Sequence, residues 1–222
     1  MPIILNLETS TRMCSVALSS AGKLLALKEQ GGEYTHAENL TLFIQSVFDT
    51  AGIQLKDIDA VAVSKGPGSY TGLRIGVSVA KGLCYALEKP LIAIGTLEAL
   101  TAGCKQQVQH TGLYCPMLDA RRMEVYCALY DDKGSEVMAP GAVIIDINSF
   151  KAELDRQKIM FFGDGAAKCK ELIHHPNAVF VDHLEPSAQF MIDLSEKAFQ
   201  AGQREDIAYF VPSYLKDFHT GK

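Results

Sequence analysis

Apolar residues follow two rhythms along this chain. Residues 3–8, 14–20, 23–30 and 60–65 form apolar or alternating runs of strand length, bounded by polar turns. Thr9-Ser10-Thr11-Arg12 and Ala21-Gly22 separate the first three runs. Other stretches repeat their apolar positions every three to four residues. Residues 36–51 read as a helix, with Thr35 as cap, Glu38 completing a capping box and Gly52 as the stop. Residues 71–87 read as a second helix. A strand at 91–95 follows, and Thr96 caps a short helix to about Ala102. The order is β-β-β-α-β-α-β-α.

The pattern then begins again. Residues 113–118 read as a strand ending at Asp119, much as the first ends at Glu8. Arg121-Arg122 occupies the next turn, 124–130 is a second strand, Asp131-Asp132-Lys133-Gly134 is a turn, and Glu136 opens a third strand. Glu8 to Gly22 spans 14 positions and Asp119 to Gly134 spans 15. A helix near 147–156, a strand at 159–162, the turn Gly163-Asp164-Gly165 and a helix at 166–174 continue the parallel. Residues 187–201 read as a last long helix. The expected fold is α/β, a duplicated β-β-β-α-β-α unit. Residues 1–103 would form the N-terminal lobe and 113–222 the C-terminal lobe, facing each other across a cleft. The polar stretch 103–112 would link them, with the last helix free to pack back on the first lobe.

The stretch Ser64 to Gly76 joins a strand to a helix through Gly66, Pro67, Gly68, Ser69 and Gly72. Gly66 and Gly68 allow positive φ, Pro67 fixes the turn, and Ser69 and Thr71 are candidate caps. Such a corner often cradles phosphate on free N–H groups. The phosphate-loop pattern fails, because Gly68 is followed by Gly72 and then Leu73, with no lysine. The dinucleotide pattern fails too, because Thr71 stands where its third glycine belongs. Gly66, Gly68, Gly72 and Gly76 then read as structural glycines of a tight corner.

The hairpin turns bear on the same question. The first, Glu8-Thr9-Ser10-Thr11, lacks glycine, and the second, Asp119-Ala120-Arg121-Arg122, carries two arginines where a phosphate-binding turn has small residues. Arg121 and Arg122 either hold an anion by forked hydrogen bonds or form a surface ion-pair turn with Glu124. The six cysteines are scattered without metal-ligand spacing, which suits reduced thiols of the cytosol. The histidines have no ligand-like spacing and Ser69 lacks a nucleophile-elbow pattern, so no metal site or catalytic residue is expected. A net charge of -5 argues against a surface that grips nucleic acid alone. The N-terminus reads as a first strand rather than a signal peptide, and no apolar run approaches membrane-spanning length.

Both long helices are short of charge. On 71–87, Leu73, Gly76, Val77, Ala80, Cys84 and Leu87 share a core face, while Ser78, Gly82 and Ala86 form a second, small-residue ridge. On 36–51, Leu40, Ile44, Val47 and Phe48 can face the core, which leaves Leu42 and Phe43. Leu42, Phe43, Ile75, Ser78, Val79 and Gly82 are therefore the candidate partner interface. The alternative is that the chain's own second lobe or last helix covers them.

Gly66 to Gly76, Ala80-Lys81-Gly82-Leu83, Leu97-Glu98-Ala99-Leu100, Asp119-Ala120-Arg121-Arg122 with Glu124-Val125-Tyr126, and residues 212–216 together resemble the TsaB (YeaZ) family. The resemblance implies a duplicated actin-like, ribonuclease H-like fold. It also implies a non-catalytic scaffold in the synthesis of threonylcarbamoyladenosine on tRNA. The expected partners are the catalytic paralogue TsaD and the ATPase TsaE, with tRNA met only through the complex, in the cytoplasm and away from membranes. No cofactor is expected on this chain, and ATP or ADP would sit at the partner complex. The family's dimer surface maps onto the first two helices, so a homodimer is expected as an alternative assembly. TsaD carries a His-x-x-x-His metal pair, and the matching positions here are Thr96 and Leu100. The family's usual first-strand Asp is Glu8 here, whose extra methylene should carry its carboxylate away from the Thr9-Ser10 turn. Rival readings are an ATP-dependent phosphotransferase working between Glu8 and Asp119, and a metallopeptidase of the same superfamily.

Overall fold

Strand β1 (Ile3–Glu8) has apolar residues on both faces, and a computed structural model shows both faces buried. The structure describes residues 1–32 and 35–216, without the side chain of Thr35, so the expected cap there lies outside the described residues. Two compact units are present. The first comprises Met1–Ala99 with Pro186–Ser213, and the second Leu100–Glu185 with residues 214–216.

In the first unit β2 (Met13–Ser20) and β3 (Lys23–Gly31) pair antiparallel, and β4 (Ala60–Gly66) and β5 (Leu91–Gly95) run parallel to β1. The sheet order is β3-β2-β1-β4-β5. One face of the sheet, with Leu5, Leu7, Val61 and Val63, packs on helix α1 (Thr35–Ala51) through Leu40, Ile44, Val47 and Phe48. It packs on helix α2 (Tyr70–Leu87) through Val77, Ala80 and Cys84. The opposite face presents Ile4, Ala60, Ala62, Ile92 and Ile94 to Met191 and Ala198. Those last two belong to the 3₁₀ turn Ala188–Met191 and helix α5 (Ile192–Gln200).

The second unit repeats the plan. Strands β6 (Leu113–Asp119), β7 (Glu124–Tyr130), β8 (Glu136–Ile144), β9 (Ile159–Phe162) and β10 (Ala178–Phe180) form a sheet of order β10-β9-β6-β7-β8. Read from the other edge, this is the order of the first sheet. The two units thus carry the same sheet plan, as the repeat predicted. Leu113, Cys115, Met117, Val125, Cys127, Ile159 and Phe161 form the core with Leu154, Cys169 and Ile173.

The helices of the repeat differ from their expected lengths. Helix α3 (Thr96–Gln107) extends through Gly103, so half of the expected linker is helical. The helix expected at 147–156 shrinks to α4 (Lys151–Leu154). Phe150, at a left-handed φ of +60°, interrupts the run just before α4, and the bonds from Asn148 N–H and Ser149 Oγ to Asp146 Oδ1 and from Asp146 N–H to Ser149 Oγ close a separate turn ahead of it. A non-glycine residue in that conformation ends a helical run. The segment 166–174 holds only a 3₁₀ turn, Ala167–Cys169, and the short strand β10 was not legible in the sequence. Residues 186–213, numbered within the expected C-terminal lobe 113–222 and holding the last helix that was free to pack back on the first, lie with the first unit because Met191, Ile192 and Ala198 bury against its sheet.

Candidate functional site

The glycine corner is filled by the chain itself. Ser69 N–H donates to the Ser10 carbonyl at 2.6 Å, and Thr9 Oγ donates to the Gly72 carbonyl at 2.8 Å. Gly72 N–H donates to Ser69 Oγ at 3.2 Å, which makes Ser69 the cap of α2, while Thr71 lies inside the helix. A Cβ at Gly68 would meet the Ser10 carbonyl oxygen, one at Gly72 the Thr9 carbonyl oxygen, and one at Gly76 the Thr9 hydroxyl. These glycines admit the first hairpin turn, not a ligand. Beside Gly66 the backbone of Ser213 closes the other side, its N–H donating to the Lys65 carbonyl at 2.7 Å.

Glu8 lies beneath that turn, fully buried. Burial pushes its carboxyl above the usual range, against hydrogen bonds led by Ser10 that pull it down. The longer side chain still reaches the turn, since Glu8 Oε1 accepts from Ser10 N–H at 2.6 Å. This corrects the expectation that the extra methylene would carry it away. Glu8 Oε2 and Thr96 Oγ are buried without a hydrogen-bond partner among the described residues, so Thr96 does not cap α3 through its hydroxyl. Leu100, on the same helix, is fully buried. Among the described residues, no group of three His, Cys, Asp or Glu side chains is placed to hold a metal ion.

The second hairpin turn is built differently. Lys168 Nζ donates to Asp119 Oδ1 and to the carbonyls of Arg122 and Glu124, each carbonyl at 2.7 Å. Asp119 Oδ1 also accepts from Arg121 N–H at 3.0 Å, and Asp119 N–H donates to Asp164 Oδ1 at 3.0 Å. Asp164 is exposed as a residue, but lost hydration around its carboxyl pushes it up to about 6, and the nearby charges of Glu185 and Asp119 add to the shift. Arg121 and Arg122 are exposed and both take positive φ, +71° and +50°. The expected ion pair with Glu124 does not form, because Glu124 pairs with Lys216. Lys168 and Lys216 were missed in the sequence because their partners lie far away in the chain.

The candidate interface residues divide into three groups. Ser78 and Gly82 are exposed on α2, in line with Tyr85, which is 82% exposed, and Ala86. A Cβ at Gly82 would meet nothing within 4 Å. Leu42 on α1 is 63% exposed. Ile75 and Val79 are half-buried against the core. Phe43 is 6% exposed and belongs to the core, with the Lys28 ammonium over its ring at 5.8 Å, so it is not available surface. Lys81, one turn from Ser78, is drawn aside to the carbonyls of Ala208 and Phe210 at 3.3 and 3.1 Å. The face therefore keeps little charge. No helix among the described residues is long and apolar enough to cross a membrane.

Comparison with known proteins agrees with this geometry. Residues 30–220 match the family model for TsaD, the tRNA N6-adenosine threonylcarbamoyltransferase. The tRNA threonylcarbamoyladenosine biosynthesis protein TsaB of Escherichia coli (strain K12) is 30% identical, with 96% of this chain and 94% of that protein aligned. The protein of the same name from Bacillus subtilis (strain 168) is 31% identical over 96% of this chain and 93% of its own length. A crystal structure from Pseudomonas aeruginosa, of an uncharacterized protein with similarity to the peptidase YeaZ, superposes with a TM-score of 0.85 at 28% identity. That superposition covers 97% of this chain and all of the other.

Proposed function

The chain belongs to the TsaB (YeaZ) family of tRNA threonylcarbamoyladenosine biosynthesis proteins, and from that premise we propose that it is a non-catalytic scaffold of the modifying assembly. Its partner is the threonylcarbamoyltransferase TsaD, with TsaE joining the pair and the work done in the cytoplasm. The observation that carries this reading is the filled corner: Ser10 and Thr9 occupy the concavity that a phosphate would need. Nucleotide, where the assembly uses it, is held by the partners. The exposed, small-residue face of α2 at Ser78 and Gly82, in line with Tyr85, is the docking surface, Ile75 and Val79 support it from beneath, and the exposed Leu42 of α1 adds apolar surface. A homodimer of the free chain would use the same face.

Gly82→Glu tests the surface without disturbing the core, because the new side chain has open space around it. A charge placed in an apolar interface should weaken co-purification with TsaD by roughly tenfold or more. Far-UV circular dichroism should stay unchanged and tRNA modification by the reconstituted assembly should fall. Undiminished complex formation by the variant removes this surface from consideration. Titration of the isolated chain with ATP should show no saturable binding, and micromolar affinity would restore the phosphotransferase reading.

A further inference from the structure

Arg121 and Arg122 occupy the costliest positions of the second hairpin. Both adopt positive φ, where glycine or asparagine is the usual residue and other side chains crowd the backbone. Neither guanidinium has an ion-pair partner among the described residues, although carboxylates lie within a few positions in the chain. Asp119 is taken by Lys168, Glu124 is taken by Lys216, and Asp164 accepts from the Asp119 N–H. Lysines hold the turn together and the arginines are left to solvent. Lys168 grips the carbonyls of Arg122 and Glu124, and Glu124 N–H donates to the Arg121 carbonyl at 3.2 Å, so the turn has a fixed shape.

We propose that this turn is a phosphate contact, in which Arg121 and Arg122 take oxyanions of the tRNA backbone. Two planar guanidiniums on one rigid loop suit forked hydrogen bonds to phosphate oxygens. A phosphodiester chain offers an oxyanion at every nucleotide and needs no complementary cavity. A protein carboxylate is disfavoured because protein interfaces have apolar centres, whereas this loop is surrounded by Asp119, Glu124, Lys168 and Lys216. The contact is local, which reconciles it with a chain of net charge -5. The inference rests on the reading that the chain works within a tRNA-modifying assembly. It departs from the expectation that the partners alone touch tRNA.

The test uses the full assembly with TsaD and unmodified tRNA. Arg121→Asn with Arg122→Gly suits the backbone better than the native pair, so the melting temperature of the isolated chain should stay level or rise by about 2 °C. The same double variant should bind tRNA roughly tenfold more weakly at low salt, and its slope of log affinity against log salt should flatten by about 1–2. Arg121→Lys with Arg122→Lys should keep most of the slope but less of the affinity. An unchanged affinity and slope overturns the contact while leaving the scaffold reading intact. Loss of assembly with TsaD in the double variant would instead assign the arginines to a protein partner. A wild-type assembly that binds no tRNA overturns both readings. Competition by ATP or inorganic phosphate as strong as that by a tRNA fragment would assign the turn to free phosphate compounds rather than RNA.

Discussion

Gly72 and Gly76 show how a sequence signal for ligand binding can be met by the protein's own backbone. A Cβ at either position would overlap Thr9, at its carbonyl oxygen or its hydroxyl. Gly72→Ala should therefore destabilise the chain by about 2–3 kcal/mol through overpacking, read by urea unfolding. Gly82→Ala, in open space, should be neutral or stabilising by about 0.5–1 kcal/mol. The glycine spacing was legible in the sequence and so was its failure to match nucleotide loops. What fills the corner was not legible, because Thr9 and Ser10 lie some 60 positions earlier in the chain and only the β1–β4 register brings them there. Asp164 gives a pH signature at the same scale. Its folded pKa of about 6 stands above the ordinary 3.8, so the folded state holds the proton more tightly than the unfolded chain between those values. The group therefore takes stability away as pH rises from about 4 to 6, and the loss persists above 6. Asp164→Asn keeps an acceptor for Asp119 N–H and removes the charge. Its melting temperature should exceed the wild-type value at pH 7.5 by more than at pH 4.5, and an equal difference at both would remove Asp164 as the source.

At the scale of elements, the second hairpin is the most informative. Its strands, β6 and β7, were readable from apolar alternation, and so was the position of the turn. Its bracing was not, because Lys168 comes from a 3₁₀ turn that the sequence pattern presented as a helix. Breaking that brace should loosen the turn rather than unfold the unit, since Arg122 and the Asp119 side chain lie exposed at the end of the hairpin while Cys115, Cys127 and Phe161 are buried in the core. Arg121 and Arg122 are exposed sites for trypsin. Lys168→Met should raise cleavage there by about fivefold to tenfold, the factor that roughly 1 kcal/mol of lost local stability gives when opening is fast. Limited proteolysis with mass identification of the fragments reads the outcome, and an unchanged rate at 121–122 would show that Lys168 does not hold the loop. The α2 face illustrates the opposite case. Its small residues and low charge were legible from period alone, whereas Phe43 was misplaced because periodicity does not reveal that β3 brings Lys28 over its ring.

At the scale of the molecule, the first sheet needs residues from both ends of the chain. Leu5, Leu7, Val61 and Val63 are covered by α1 and α2, which follow locally. Ile4, Ala60, Ala62, Ile92 and Ile94 are covered by Met191 and Ala198, which arrive only after the second unit has been made. The segment is also tied by polar bonds: Ser187 Oγ donates to Glu29 Oε2 at 2.6 Å, and Ala188 N–H donates to Ser15 Oγ at 2.9 Å. Ser15 Oγ donates to the same Glu29 oxygen at 2.9 Å, so one carboxylate gathers two hydroxyls. A fragment ending at 112 would leave an apolar sheet face in water, at about 25 cal/mol for each Å² uncovered. It should therefore aggregate or bind a hydrophobic dye, despite containing every strand of its sheet. Joining 1–103 to 186–213 through a Gly-Ser linker restores the cover and should give a cooperative thermal transition. Ser187→Ala in that fusion would lower the midpoint by a few degrees, since a part-buried hydrogen bond to a charged group contributes about 1–2 kcal/mol. A cooperative transition in the shorter fragment alone would show that α5 is an accessory of the sheet and that its second face tolerates solvent.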